Sequence, residues 1–171
     1  MAEKNFDIIN LVNDSGCFDL QFRRDIRRKR ANSPAYYRWV AQFIITAPAE
    51  NLGWLKKSQE VLKCGRVYVA KNQCRFSAQN LREIQEILIP YFRKNKLAER
   101  KRKDFELWEK AVQIIYNNKR KPALKWKKSD LLNLIQIQKL ALKYKSAGRQ
   151  TKPAKWISAA EALAQNLKNG V

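Results

Sequence analysis

The side chains that could do chemistry early in the chain form a short polar set, Asn13-Asp14-Ser15, directly before Gly16. They close the apolar run Ile8-Ile9-Asn10-Leu11-Val12, which predicts a brief helix over residues 6–13 ended by a turn at Asp14-Ser15-Gly16. A carboxylate can take part in holding a hard divalent cation together with substrate phosphate. A neutral hydroxyl or amide cannot replace it. Asp14 is the acid of this set, flanked by Asn13 and Ser15. One step along a helix turns a side chain by about 100°, so an acid at 14 points elsewhere than an acid at 13 or 15.

Other chemistry is sparse. The 171 residues contain no histidine, which removes Ser-His-Asp, Cys-His and imidazole acid–base catalysis together. The three cysteines, Cys17, Cys64 and Cys74, lack CxxC spacing. A zinc site would need all three plus a carboxylate, so they read as free buried thiols in a reducing compartment. No metal and no cofactor is expected.

Charge is the outlier of the composition. Lys and Arg number 36 against 15 Asp and Glu, a formal net charge of +21. That bias favours a polyanion through counterion release and steering. Nucleic acid is preferred to an acidic membrane, because no apolar run approaches the ~20 residues that span a bilayer. Met1–Asp7 shows no secretory or transit signal, so the chain is expected to be made where it works, or to have lost a presequence. With 45% hydrophobic residues there is enough apolar material for a real core.

The elements that must position these groups follow from periodicity. Alternation predicts strands at 17–24, 36–46, 66–70 and 73–77, and helical spacing predicts helices at 50–63 and 80–92. Further helices are expected at 101–117, 131–145 (capped by Ser129-Asp130) and 157–167, with basic linkers at 119–128 and 148–153. The first six of these elements, after the opening helix, give the order αββαββα.

Alternation also sorts the strand residues into two faces. Phe18, Leu20 and Phe22, Tyr37, Trp39, Ala41, Phe43 and Ile45, Val67 and Val69, and Cys74 and Phe76 form the inward set. The opposite face carries Asp19, Gln21, Arg23, Tyr36, Arg38, Gln42, Arg66, Tyr68, Gln73, Arg75 and Ser77, rich in Arg, Gln and Tyr and almost free of Lys. Arg offers a fork to phosphate or guanine, Gln a paired donor and acceptor, and Tyr a stacking ring. Gln21, Arg23, Tyr36, Arg38, Gln42, Arg66, Tyr68, Gln73 and Arg75 are therefore nucleic-acid-binding candidates. Arg27, Arg28 and Arg30 join them from a basic hairpin tip. So do two charge runs, Arg100, Lys101, Arg102 and Lys103, and Lys125, Lys127 and Lys128 around Trp126. The competing reading is a solvated sheet face and solvated charge runs.

The opening helix, this element order and several later stretches together resemble a single-motif LAGLIDADG homing endonuclease. Phe43-Ile44-Ile45-Thr46 resembles the end of that family's second strand, and Leu62-Lys63-Cys64-Gly65-Arg66-Val67-Tyr68 its turn into strand three. Ile89-Pro90-Tyr91-Phe92 and Lys101-Arg102-Lys103-Asp104-Phe105-Glu106 resemble two further family stretches, for a coverage of residues 6–117. The resemblance implies an α+β fold with a four-stranded antiparallel saddle sheet over residues 1–118, followed by a basic helical extension at 119–171.

The resemblance also implies what has changed. The family's metal-binding acid aligns with Ser15, the acid two residues earlier with Asn13, and the polar residue after the strand-two Thr with Ala47. The basic residue that assists the site aligns near Arg100 or Lys101. On this basis the chain is expected to be no enzyme, its nuclease activity lost. It is expected to bind structured RNA as a component of an organellar ribosome, touching ribosomal RNA and neighbouring ribosomal proteins, or as an intron maturase. The alternatives are an active DNA homing endonuclease using Asp14, and a non-cutting DNA-binding protein. RNA is preferred to DNA because Tyr36, Tyr68 and Trp126 suit unpaired bases. Ile9 and Asn10 replace the small residues through which two such helices approach, and misfits of that kind cost about 1–3 kcal/mol. The usual homodimer is therefore not expected. The expected location is a mitochondrion or chloroplast, with bacterial cytoplasm as the alternative.

Overall fold

A computed structural model describes residues 6–25, 36–145 and 156–167. Helix α1 (Ile8–Ser15) starts where the Asp7 carboxylate accepts the amides of Ile9 at 2.8 Å and Asn10 at 3.4 Å. These bonds satisfy donors that a helix N-terminus leaves open. The helix stops at Gly16, where an added Cβ would lie 2.6 Å from the Val12 carbonyl oxygen. Close backbone approach thus selects glycine there.

Strands β1 (Gly16–Asp25) and β2 (Tyr36–Pro48) follow, then α2 (Leu52–Leu62), β3 (Arg66–Ala70) and β4 (Gln73–Ala78). Gly65 turns the chain into β3 with φ +74°, a left-handed conformation, and a Cβ would meet the Phe76 ring at 2.6 Å. Helix α3 joins three pieces, Leu81–Glu83, a π turn at Ile84–Leu88, and Ile89–Lys94. Pro90 lacks an amide hydrogen, and the wider turn before it accommodates the missing ladder bond. Helices α4 (Glu99–Asn117), α5 (Lys128–Ala141) and α6 (Ile157–Asn166) complete the chain. The α5 cap is Lys127, with Asp130 in the first turn, so the helix begins three residues earlier than the predicted start at Leu131.

The four strands form one antiparallel sheet in the order β1-β2-β4-β3. The fold is thus α+β with a four-stranded sheet and the αββαββα order that the sequence predicts. β3 is an edge strand. That explains why Val69, expected inward, is 52% exposed: alternation assigns a face but cannot say whether a strand has neighbours on both sides.

The chain forms two compact units, one of residues up to Asp19 with Gln42–Glu106, the other of Leu20–Ala41 with the chain from Leu107. In the first, Phe18 meets Phe43, Phe92 and Phe105 at centroid distances of 5.1, 5.3 and 5.3 Å. Phe76 joins through Phe43 at 6.0 Å. In the second, Phe22 stacks on Tyr37 at 5.1 Å, and Trp39 meets Trp156 edge-on at 5.2 Å. There α5 buries Leu131, Leu134, Ile135 and Ala141, while α6 buries Ile157, Ala160 and Ala164. The expected boundary at 118/119 falls inside this second unit.

Cys64 and Cys74 are buried free thiols, and Cys17 is half-buried. Burial, and then the Glu83 charge, push the Cys64 thiol up from 9.0 to about 12. Between pH 9 and 12 the unfolded chain therefore releases a proton that the folded chain keeps, and stability falls as pH rises. Below pH 9 this group contributes no pH dependence. Urea midpoints of wild type and Cys64→Ala are expected to run parallel up to about pH 9 and then diverge, with the wild type falling more steeply. Parallel curves up to pH 11 would show the thiol to be ordinary.

Candidate functional site

On the outer face of β2, β4 and β3, cross-strand register places residues in rows. Ile44, Ser77 and Arg66 form one row, Thr46, Arg75 and Tyr68 the next, and Pro48, Gln73 and Ala70 the third. Directly opposed residues share a face with Cβ atoms about 5 Å apart. Thr46, Arg66, Tyr68 and Gln73 are exposed, and Arg75 is half-buried between its neighbours. Four of the expected binding residues, Arg66, Tyr68, Gln73 and Arg75, are thus brought together.

Gln42 departs from expectation. It lies on this face but is only 1% exposed. Its amide nitrogen donates to Asp19 Oδ2 at 2.6 Å, and its oxygen accepts from Gln79 Nε2 at 2.9 Å. Gln79 also donates to Ser77 Oγ at 3.4 Å. Gln42 is therefore a positioning residue held in a polar chain. Exposed Gln79, beyond the end of β4, is not among the expected residues, and no alternation signal reaches past the strand to find it.

At the end of α1 the expected positions gather as well. Asn13 Oδ1 accepts the Ala98 amide at 3.0 Å, and Lys101 Nζ donates to the Gly16 carbonyl at 2.6 Å. The start of α4 is thereby tied to the helix end, which puts a cation there, where helix carbonyls favour positive charge. Asp14 is exposed, Ser15 half-buried and Ala47 buried. Among the described residues no group of three or more His, Cys, Asp or Glu could hold a metal ion. One exposed carboxylate fits a divalent cation whose remaining ligands come from phosphate and water. It does not by itself make a complete site.

The remaining candidates are dispersed. Arg102 donates to the Asn95 carbonyl at 2.7 Å, Lys103 pairs with Glu99 at 3.1 Å, and Arg100 is exposed. In the second unit Arg23 Nε donates to Gln21 Oε1 at 2.6 Å, with both residues half-buried and Arg38 exposed. Tyr36 opens β2. Lys125 and Lys127 are exposed and Lys128 is half-buried. Trp126 is corrected from a surface aromatic to a buried one, 8% exposed, with its indole nitrogen donating to the Lys121 carbonyl at 2.9 Å. Its NH is satisfied inside the turn, so the ring docks this segment. Arg27, Arg28 and Arg30 lie outside the described residues. No helix among the described residues is long and apolar enough to cross a membrane.

A family model described as LAGLIDADG endonuclease matches residues 12–112. No curated protein matches the chain in sequence. Among solved structures, the I-SmaMI LAGLIDADG homing endonuclease bound to cleaved DNA aligns with a TM-score of 0.68 at 14% identity, covering 96% of this chain and 49% of that one. I-GzeII in complex with DNA target gives 0.63 at 18% identity, over 76% and 42%. The homing endonuclease I-TnaI gives 0.66 at 14% identity, over 94% and 95%. The chain thus spans about half the length of the first two and nearly all of the third. At these identities the structural likeness establishes the fold.

Two expectations are corrected here. The first is that the chain is no enzyme: the family it matches is one of endonucleases, and the matched span includes Asn13, Asp14, Ser15 and Ala47. A serine at 15 does not establish lost cutting while an exposed carboxylate stands one residue away on the same helix end. The preference for RNA is likewise unsupported, since the nucleic acid in the similar structures is DNA.

Proposed function

Because this chain belongs to the LAGLIDADG endonuclease family, we propose that it binds duplex DNA across the outer face of β2, β4 and β3 and cleaves it at the end of α1. The observation that carries this reading is the set of cross-strand rows, which gathers Arg66, Tyr68, Gln73, Arg75 and Thr46 on one lysine-poor face. Such side chains match the donors and acceptors of base edges better than point charges do. The formal charge of +21 supplies the sequence-independent attraction to phosphate.

Asp14 is the group at the α1 end that would hold a divalent cation together with phosphate oxygens. Such a cation, when bound, polarises the phosphoryl group and activates water. The chain's own part is to place that carboxylate, to fix the helix end through Asn13, and to hold the Lys101 ammonium on the Gly16 carbonyl at that end. Lys101 there stabilises negative charge that develops on phosphate.

A randomised duplex library, incubated with the protein in Mg²⁺ and sequenced at its ends, is the test. Specific cutting is expected, and Asp14→Asn should reduce it by more than the roughly 10–100-fold typical of losing an outer-shell partner of a metal ligand. DNA affinity measured without divalent cation should be retained, because removing a negative charge does not weaken direct attachment to phosphate. Cutting that survives Asp14→Asn would remove Asp14 from the mechanism. Binding without cutting at any sequence would refute the nuclease part, and absence of binding would refute the whole reading.

A further inference from the structure

The two edge strands of the sheet differ. β1 lies at one edge, and its residues 16–23 are all buried or half-buried. β3 lies at the other, and four of its five residues, Arg66, Tyr68, Val69 and Ala70, are exposed. Alternate residues of an antiparallel edge strand direct N–H and C=O away from the sheet, a row able to pair with another backbone. This edge is also apolar. Tyr68 and Val69 are 45% and 52% exposed, and α2, which packs against β3 and β4, leaves Val61 49% exposed. Charge around it has one sign. Residues 52–71 carry exposed Lys56, Lys57, Lys63, Arg66 and Lys71 against Glu60. Arg66 opens the strand and Lys71 follows its last residue.

We propose that β3 is a docking edge that takes up an extended acidic segment of a partner protein as a fifth strand of the sheet. This inference does not depend on the DNA-binding reading. The open row of alternating donors and acceptors selects a peptide backbone, since phosphate could use the N–H groups but is repelled by the carbonyls between them. The cations at both ends of β3 select carboxylates. A second copy of this chain would bring the same cations and its own charge of +21 against them, which disfavours self-pairing. Directly opposed residues of paired strands share a face. A segment that alternates apolar and acidic residues therefore sets its carboxylates on the face of Arg66 and its apolar groups on the face of Val67 and Val69.

The test uses the full chain and a labelled, end-capped peptide, Val-Glu-Val-Asp-Val-Glu-Val, titrated to millimolar concentration. Binding is expected, with hydrogen exchange slowed at β3 amides and unchanged at β1. The same peptide N-methylated at alternate residues should bind at least about 10-fold more weakly, because it cannot complete the ladder. Val69→Asp should weaken binding by a similar factor, since it sets a like charge against the peptide. It should melt like wild type because the position is exposed. The N-methyl comparison is made on wild type and stands whatever the variant does to folding. Equal binding of the N-methylated peptide would make the site a charge patch and overturn strand addition. Equal binding of a peptide with Lys in place of each acid, or no binding of the acidic peptide, would also overturn the proposal. Protection of β3 that rises with protein concentration alone would give the edge to a second copy. Protection by random duplex DNA but not by the peptide would give it to nucleic acid, and either result overturns the inference.

Discussion

Phe18→Ala is expected to lower the unfolding free energy by about 3–5 kcal/mol. The side chain is 1% exposed and is shared by three other rings, Phe43, Phe92 and Phe105, each within 5.3 Å. Those rings come from β2, α3 and α4, so one residue of β1 ties together the elements of the first unit. Edge-on contacts such as Phe18 with Phe92, whose planes meet at 89°, add to the area buried. Removing the ring leaves a cavity walled by aromatic rings that are themselves packed on one another and cannot collapse into it. A domain stable by roughly 5–15 kcal/mol loses a large share of its margin. Urea unfolding followed by tryptophan fluorescence reads this directly. Val61→Ala, at a position 49% exposed, serves as the control and is expected to change stability by less than about 0.5 kcal/mol. A Phe18→Ala loss no larger than that of Val61→Ala would show that the ring cluster does not hold the unit together.

The same residue shows why much of the fold is legible. Phe18, Leu20 and Phe22 alternate with Asp19, Gln21 and Arg23, and period two admits one assignment of faces. Turn residues mark the ends of most elements, Gly16 by its close approach to Val12 and Gly65 by its positive φ. What alternation cannot carry is strand order and register. Val69 reads as inward by period but lies on an edge strand. The row of Thr46, Arg75 and Tyr68 depends on pairing β2 with β4 across α2 and β3, and on the turn at Lys71-Asn72, where Lys71 takes φ 53°. Neither pairing is visible in a list of exposed residues. The expected site therefore has the right composition but not its arrangement, and it omits Gln79 and the burial of Gln42. At the α1 end, residue-by-residue comparison weighs Ser15 heavily. It cannot show that Lys101 reaches back to the Gly16 carbonyl, which makes this helix end a charged place even with a hydroxyl at position 15. Trp126 misleads differently: a lysine-flanked aromatic reads as a surface group until its NH is seen bonded within its own turn.

Ending the chain at Asn118 is expected to abolish cooperative folding of the second unit. An appendage on a finished core would leave the truncated chain with a sharp transition, and that is the expectation the basic linkers suggest. The buried residues argue otherwise. The cut removes Trp126, Leu131, Leu134, Ile135 and Ile157, all 8% exposed or less. At roughly 1.5–3 kcal/mol for each large apolar side chain, their sum reaches the scale of a whole domain's stability. Trp39 would lose its edge-on partner Trp156, and Phe22 would lose the same ring at 6.4 Å. Asn118 itself would be left without Asp130, whose carboxylate accepts its side-chain amide at 3.1 Å. The surviving part of the unit, Leu20–Ala41 with Leu107–Asn118, would then expose aromatic surface with nothing to cover it. A broad, low-enthalpy melt, binding of a hydrophobic dye and a tendency to aggregate are the expected results. Any drop in DNA affinity in that variant would follow from unfolding around Arg38 and β2 rather than from missing lysines. A milder variant separates the two causes. Replacing Lys125 and Lys127 with Gln keeps Trp126 and the buried helices, so it should melt like wild type. It should lower only the salt-dependent part of binding, by about 0.9 in slope for each phosphate that is no longer neutralised. A truncated chain that melts sharply and reversibly would establish residues 119–171 as a separate appendage.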